Sequence, residues 1–234
     1  MNDLSLAGNQ ALQLVGGADP KLFGIVLLSL RVSLTAVVIA CAIGLPLGAT
    51  IAVSRFGGRH TLIVVLNAMM GMPPVVVGLA VYLLLSRAGP LGQMGLLFTP
   101  TAMVIAQAIL ITPIIAALTR QVVEDAWDEY REQLRSLGET RFGAALTLLA
   151  DVRFSLLTIV LAGFGRAAAE VGAVMIVGGN IDGVTRVMTT AIALETSKGD
   201  LPLALALGMV LLAIVLAINA AAFIVKERAQ QRYG

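Results

Sequence analysis

The sequence predicts an all-α membrane protein that crosses the bilayer with five helices. Of its 234 residues, 58% are hydrophobic, and only 16 Lys and Arg and 14 Asp and Glu are present. This charged share is about half of the roughly 25% typical of soluble domains. One soluble core of this size could not bury so much apolar surface. The composition therefore excludes a disordered chain and a soluble nucleic-acid-binding protein, and we expect no nucleic-acid partner.

The predicted spans are stretches with few or no charges. A hydrocarbon core about 30 Å thick is crossed by roughly 20 helical residues. Four stretches contain no charge, and one contains only Arg166 and Glu170. We predict spans at about 32–54, 61–86, 99–119, 154–179 and 201–225. The apolar residues 22–30 are too few for a sixth span, and we expect them to lengthen the first helix toward the membrane interface.

The distribution of basic residues predicts the orientation. With five spans, ten Lys and Arg fall on one side of the membrane and four on the other. The positive-inside rule then places residues 1–21 outside the cell and the tail 227–234 in the cytoplasm. We therefore expect a plasma-membrane protein with a membrane domain of residues 22–226 in contact with lipid. Residues 1–20 have no cationic segment ahead of an apolar core, so we expect no cleaved signal peptide.

The second span contains the sequence Met72-Pro73-Pro74. Two prolines in succession remove two backbone donors, so we expect the helix to kink or to split in two. A broken helix at membrane depth is tolerated where protein or a water-filled cavity covers the freed carbonyls. These three residues are candidate gate residues, and a packing kink is the alternative.

The fourth span carries the charges Arg166 and Glu170. An unpaired charge at the bilayer centre costs at least roughly 2.5 to 3.5 kcal/mol. Their spacing predicts an i,i+4 ion pair on one helical face that points away from lipid. The pair is a candidate for the lining of a polar passage or a subunit interface, and a buried structural pair is the alternative.

Residues 120–153 form the longest predicted cytoplasmic connection. Acidic and basic residues alternate here with apolar residues at helical spacing, from Val123 to Leu137. We predict a helix ending near Leu137, a left-handed cap at Gly138 and a second helix from about Thr140. The pattern alone fits a solvated hairpin that joins two spans equally well.

Several kinds of chemistry are excluded by residue counts. Cys41 and His60 are the only residues of their types, so neither a disulfide nor a tetrahedral metal site can form within the chain. None of the three lysines is followed by Ser or Thr, so a phosphate-binding loop of the Gly-Lys-Ser/Thr type is absent. We expect a chain that is not an enzyme and holds no cofactor.

The cytoplasmic connection contains a segment, Glu132–Gly138, that resembles the E-A-A-x-x-x-G loop of ATP-binding-cassette (ABC) importer permeases. Gln133 and Leu134 stand where that loop has two alanines, and the proline expected downstream is absent. The resemblance implies that this segment docks on a separate ATPase. The residues expected to carry this coupling are Glu132, Arg135, Ser136 and Gly138.

Further stretches resemble the molybdate and tungstate permeases within that family. They are Met72–Gly78, Arg87–Gly92, Gly165–Ala173 and Gly178–Ile181. The stretch Thr185–Thr196 resembles the tungstate branch more closely.

The resemblance implies the type I ABC importer fold and alternating access in a homodimer. It implies two cytoplasmic ATPase subunits that bind ATP and Mg²⁺, an extracytoplasmic binding protein, and tungstate as substrate, with molybdate or sulfate as alternatives. Two other classes of membrane protein fit the sequence less well. An ion-coupled secondary transporter or channel usually consists of two halves that repeat the same arrangement of helices. A structural anchor would have no organised cytoplasmic segment.

Overall fold

The computed structural model describes residues 20–233 and the isolated positions 9, 13, 16 and 17. For residues 229, 230, 232 and 233 it describes the backbone only. Within these residues the chain is 82% helical and has no strand, which confirms the all-α prediction. The predicted outer segment 1–21 lies mostly outside the described residues, as does the last residue of the predicted tail.

Nine α-helices follow one another in the described part of the chain. They are α1 (Pro20–Val53), α2 (Arg59–Met70), α3 (Pro74–Leu85), α4 (Pro100–Ser136), α5 (Arg141–Asp151), α6 (Arg153–Ala168), α7 (Gly172–Gly178), α8 (Met188–Lys198) and α9 (Leu201–Tyr233). A 3-10 turn, Gly92–Met94, lies between α3 and α4.

Three helices, α1, α4 and α9, are long and apolar enough to cross a membrane. Two pairs of shorter helices, α2 with α3 and α5 with α6, are each bent at a break and would raise the number of spans to five. The chain is thus a multi-pass membrane protein with three to five candidate spans. The predicted span 154–179 falls on α6 and α7, and its limits stay a prediction.

The first helix is longer than a bilayer core. Its 34 residues extend about 51 Å at 1.5 Å per residue. Residues 22–30 continue into the predicted span without a break. This confirms that they lengthen the first helix.

The chain packs as two compact units. The first comprises Met1–Thr35, Pro74–Gln107 and Ala168–Gly234, and the second comprises Ala36–Pro73 and Ala108–Ala167. In the first unit α3 packs against α7, and α8 packs against α9. Apolar residues of α1, α8 and α9 form one of its buried clusters, which includes Leu22, Ile25, Met188, Ala191, Ala206 and Leu207.

In the second unit α1 and α4 approach each other closely at two glycines. A Cβ on Gly44 would lie 3.0 Å from Ile115 Cγ2, and one on Gly48 would lie 2.9 Å from the backbone nitrogen of Arg120. The G-x-x-x-G spacing therefore serves close contact between these two helices. Beyond this contact, α1, α4 and α5 share a buried cluster around Trp127.

Candidate functional site

The end of α4 forms a turn that the sequence predicts well. Gly138 has a φ of +77°. The Gly138 N–H donates to the Arg135 carbonyl, and the Glu139 N–H donates to the Leu134 carbonyl, each at 3.0 Å. These two bonds form a Schellman motif, which satisfies carbonyls at a helix end. The predicted helix end near Leu137 and the left-handed Gly138 are confirmed.

The second helix of the connection, α5, begins with a side-chain cap. The Thr140 Oγ1 accepts a hydrogen bond of 3.1 Å from the Gly143 N–H, which satisfies one of the free donors of the first turn. The buried face of α5 packs against α4 and the end of α1. This cluster contains Ala49, Ala52, Val53, Val123, Ala126, Trp127, Leu134, Ala144, Ala145 and Leu148. The connection is therefore a packed helical hairpin.

Three large apolar side chains are exposed on the outer surface of this hairpin. Leu137 is 80% exposed, Phe142 is 71% exposed and Leu146 is 53% exposed. Phe142 and Leu146 are four residues apart and so lie on one face of α5. Exposed apolar patches of this kind mark interaction sites. We refer to Leu137, Phe142 and Leu146 as the coupling surface, after the role that the resemblance implies for the neighbouring segment Glu132–Gly138.

Sequence reasoning named four residues near this surface and missed two of its apolar members. Arg135 stacks over the Trp127 ring, with 5.8 Å between the guanidinium carbon and the ring centroid. The Ser136 hydroxyl donates to the Glu132 carbonyl at 2.8 Å, and the Glu132 side chain is exposed. The signal for Phe142 and Leu146 was their apolar character on the face of α5 opposite Ala144 and Leu148.

The predicted break in the second span is a full separation into two helices. The helix α2 ends at Met70, and the Gly71 N–H donates to the Ala68 carbonyl at 3.2 Å. Met72 and Pro73 lie in the break, and Pro74 is the first residue of α3. Proline suits this first position because its missing N–H would have no partner within the helix. The role of these residues as a gate stays a prediction.

The helix that was predicted to carry both Arg166 and Glu170 ends between them, and their predicted ion pair stays a prediction. Arg166 lies in α6, which ends at Ala168, so Glu170 lies beyond the helix. Glu170 instead contacts the next helix, because its Oε1 accepts a hydrogen bond of 2.9 Å from the Ala173 N–H of α7. The Thr189 hydroxyl also donates to the Glu170 carbonyl at 2.7 Å. Glu170 is 4% exposed, as expected for a side chain shielded from lipid.

The two helices that begin after these breaks, α3 and α7, contact each other near their starts. A Cβ on Gly172 would lie 2.8 Å from Val75 Cγ2, and one on Gly78 would lie 2.7 Å from Ala173 Cα. The first unit therefore brings together the start of α3, at the candidate residue Pro74, and the start of α7, which follows the candidate residue Glu170. Sequence reasoning did not anticipate this contact.

A separate ionic group lies at the start of α1. The Asp182 carboxylate contacts Lys21 Nζ at 2.9 Å and Arg186 Nη1 at 3.1 Å. The hydrogen bond from Lys21, assisted by the charge of Arg186, lowers the pKa of Asp182 below its ordinary value of 3.8. Among the described residues, no group of three or more His, Cys, Asp or Glu is placed to hold a metal ion.

The chain is similar to known permeases over most of its length. It is 44% identical to the tungstate uptake system permease protein TupB of Peptoclostridium acidaminophilum over 217 residues, which cover 93% of this chain and 95% of the relative. It is 40% identical to a probable anion ABC transporter permease protein of Haloferax volcanii, with 91% and 94% covered. It is 38% identical to the TupB of Campylobacter jejuni, with 90% and 88% covered. No family model matches the chain.

Proposed function

Because the chain belongs to the oxyanion group of ABC transporter permeases, we propose that it forms the membrane passage of an ATP-driven importer for tungstate. The proposal of tungstate as the substrate is supported by one observation. The chain is 44% and 38% identical to two tungstate uptake permeases, over most of its own length and of theirs. Molybdate and sulfate are oxyanions of the same charge and tetrahedral shape, and they are the competing substrates.

The proposed complex contains two copies of this permease, two cytoplasmic ATPase subunits and an extracytoplasmic binding protein. ATP and Mg²⁺ bind to the ATPases, because no lysine of this chain is followed by Ser or Thr. This arrangement requires the N-terminus outside and the C-terminus in the cytoplasm of the plasma membrane. In this orientation ten Lys and Arg fall on the cytoplasmic side and four on the outer side, and the positive-inside rule supports that arrangement.

The coupling surface is the proposed docking site for the ATPase. Leu137 and Phe142 are the most exposed of its apolar side chains, and their burial in a partner would release ordered surface water. The packed hairpin beneath them holds this surface in a fixed position relative to α4. The segment Glu132–Gly138, with its E-A-A-like spacing, is thus the proposed coupling loop.

In the proposed transport cycle, one passage opens alternately to the outside and to the cytoplasm. ATP binding closes the ATPases, the coupling surface moves with them, and the passage opens outward to receive the anion. A passage for a dianion must bind it weakly enough to release it. The breaks that precede α3 and α7, with Met72, Pro73 and Glu170, are the proposed moving parts of this passage.

The test is reconstitution of the permease with its ATPase and binding protein in lipid vesicles. We expect tungstate to stimulate ATP hydrolysis and to enter the vesicles, at concentrations at least about tenfold below those needed for molybdate or sulfate. Equal or stronger stimulation by molybdate or sulfate would reassign the substrate. Anion flux through the isolated permease without any ATPase would contradict the importer and favour a channel or secondary transporter.

A further inference from the structure

A partly buried ionic cluster joins three helices of the second unit. Glu124 of α4 bonds Arg59 Nη2 at 2.6 Å through one carboxylate oxygen and Arg120 through the other. The three side chains are between 16% and 28% exposed. Arg59 Nε also donates to the Ile51 carbonyl near the end of α1 at 2.9 Å. Arg59 therefore links α2 both to α1, through the Ile51 carbonyl, and to α4, through the Glu124 carboxylate.

The start of α2 depends on this carboxylate. Arg59 is the first residue of α2, and a cation at a helix N-terminus faces the positive end of the helix dipole. Gly58, at the cap position, provides no side-chain acceptor. Glu124 offsets the positive charge of Arg59 at this end of the helix, so a residue of α4 contacts the first residue of α2.

From this point α2 runs without interruption to the break in the second span. Its 12 residues contain neither Gly nor Pro and extend about 18 Å. Leu66 of α2 is buried in a cluster with Ile51 of α1 and with Ala116 and Ala117 of α4. The helix is therefore a continuous segment that connects Arg59 with the break that begins at Gly71.

In the other direction, α4 runs from Glu124 to the coupling surface. The stretch from Glu124 to Ser136 contains neither Gly nor Pro, and twelve steps of 1.5 Å give about 18 Å. Two stiff helices thus meet at Glu124, one leading to the coupling surface and one to the break at Gly71–Pro73. We propose that Glu124 is the positioning residue through which movement of the coupling surface reaches this break.

The inference rests on the proposed function, and its test places a reporter at each end of the connection. Gly71→Cys and Gln133→Cys are introduced separately after Cys41→Ala removes the only native cysteine. Gly71 has a φ of −90°, and the nearest atom to a Cβ there is 3.7 Å away, so a cysteine fits. The rate of labelling by a water-soluble maleimide is measured in the assembled complex, with and without ATP. Each reporter is combined with Glu124→Gln or with Asp125→Asn, a neighbouring exposed carboxylate that serves as the control.

In the otherwise unaltered chain, we expect ATP to change both labelling rates at least about fivefold. With Glu124→Gln, the change at position 133 persists and the change at position 71 is lost, whereas Asp125→Asn preserves both. Arg59→Gln removes the contact of Glu124 with α2, together with the bond to the Ile51 carbonyl, leaves the pair of Glu124 and Arg120 in place, and gives the same selective loss. The double variant with Arg59→Gln and Glu124→Gln should lose no more of the response at position 71 than either single variant, if the two residues act as a unit.

Three results would overturn the inference. In the first, position 71 still responds to ATP within about twofold of the unaltered chain when Glu124 is Gln and when Arg59 is Gln. In the second, position 133 loses its response together with position 71 in both variants, which indicates a role in folding or assembly only. In the third, position 133 does not respond to ATP even in the unaltered chain, which contradicts the proposed function itself.

Discussion

The hydroxyl of Ser29 accepts a hydrogen bond of 2.7 Å from the backbone N–H of Met188, which lies 159 positions later in the chain. The same hydroxyl donates to the Ile25 carbonyl, also at 2.7 Å. Met188 is the first residue of α8, so a side chain of α1 satisfies a free donor of another helix. This bond fixes the start of α8 against α1 within the first unit.

Replacing Ser29 by Ala should destabilise the protein by about 1 to 3 kcal/mol, because the buried N–H of Met188 loses its acceptor. The check is thermal unfolding in detergent, where each kcal/mol corresponds to about 2 to 4 °C for a chain of this size. Thr35→Ala is the control, since Thr35 is exposed and bonds only within α1. Equal midpoints for the two variants would contradict the prediction.

Replacing Gly48 by Ala should separate α1 from α4. The added methyl would collide with the Ala116 carbonyl oxygen and would lie 2.9 Å from Thr119 Cβ, and overpacking of this kind costs about 1 to 3 kcal/mol. The fluorescence of Trp127, the only tryptophan, reports unfolding of the unit that contains this contact. Gly24→Ala in the same helix has nothing within 4 Å and should leave the midpoint unchanged. A similar loss in both variants would point to a general effect on the helix.

Glu170 should tolerate Gln better than Ala. An amide oxygen can still accept the hydrogen bond from the Ala173 N–H, whereas Ala leaves that donor open at a cost of about 0.5 to 2 kcal/mol. We therefore expect Glu170→Gln to retain most transport in vesicles and Glu170→Ala to lower both transport and the unfolding midpoint. If Glu170→Gln abolished transport without a change of midpoint, the negative charge would be the essential feature.

Phe142→Ser in the coupling surface should weaken binding of the ATPase. Burial of one Phe contributes about 1.5 to 3 kcal/mol, so the affinity should fall by at least about tenfold. Phe142→Leu keeps an apolar side chain and should bind within about threefold of the unaltered chain. Titration of labelled ATPase onto the permease in nanodiscs measures both variants. Equal affinity for Ser and Leu at this position would exclude Phe142 from the interface.

Acid should loosen the contact between Lys21 and Asp182. The pKa of Asp182 is lowered in the folded protein, so its contribution is complete above the ordinary value of 3.8 and is lost as the pH falls through the lower folded value. The midpoint difference between the unaltered chain and Asp182→Asn should be constant from neutral pH down to about pH 5 and should shrink toward about pH 3. A difference that grows on acidification would contradict this sign.

The sequence predicted the features of this fold that have local causes. Gly138 ends α4 because only a left-handed residue closes the Schellman motif, and Pro73 with Pro74 separates two helices because proline lacks a donor. The break before Glu170 was not predicted, because the preceding alanines favour a helix. Its causes are distant in sequence: the Thr189 hydroxyl and the contact of α7 with α3. The bond between Arg59 and Glu124, 65 positions apart, was beyond pattern reasoning for the same reason.

The helix α4 runs without a break from the predicted third span to the turn at Gly138. Its number of residues therefore sets the direction in which that turn faces. Each residue of an α-helix turns the chain by about 100°. One residue inserted between Arg120 and Ser136 would rotate Leu137 about the helix axis by that angle relative to the part packed against Gly48. An insertion in a flexible connection would be absorbed, whereas here it would turn the coupling surface away from its partner. Homologous chains should therefore differ in residues along this stretch but not in its number of residues.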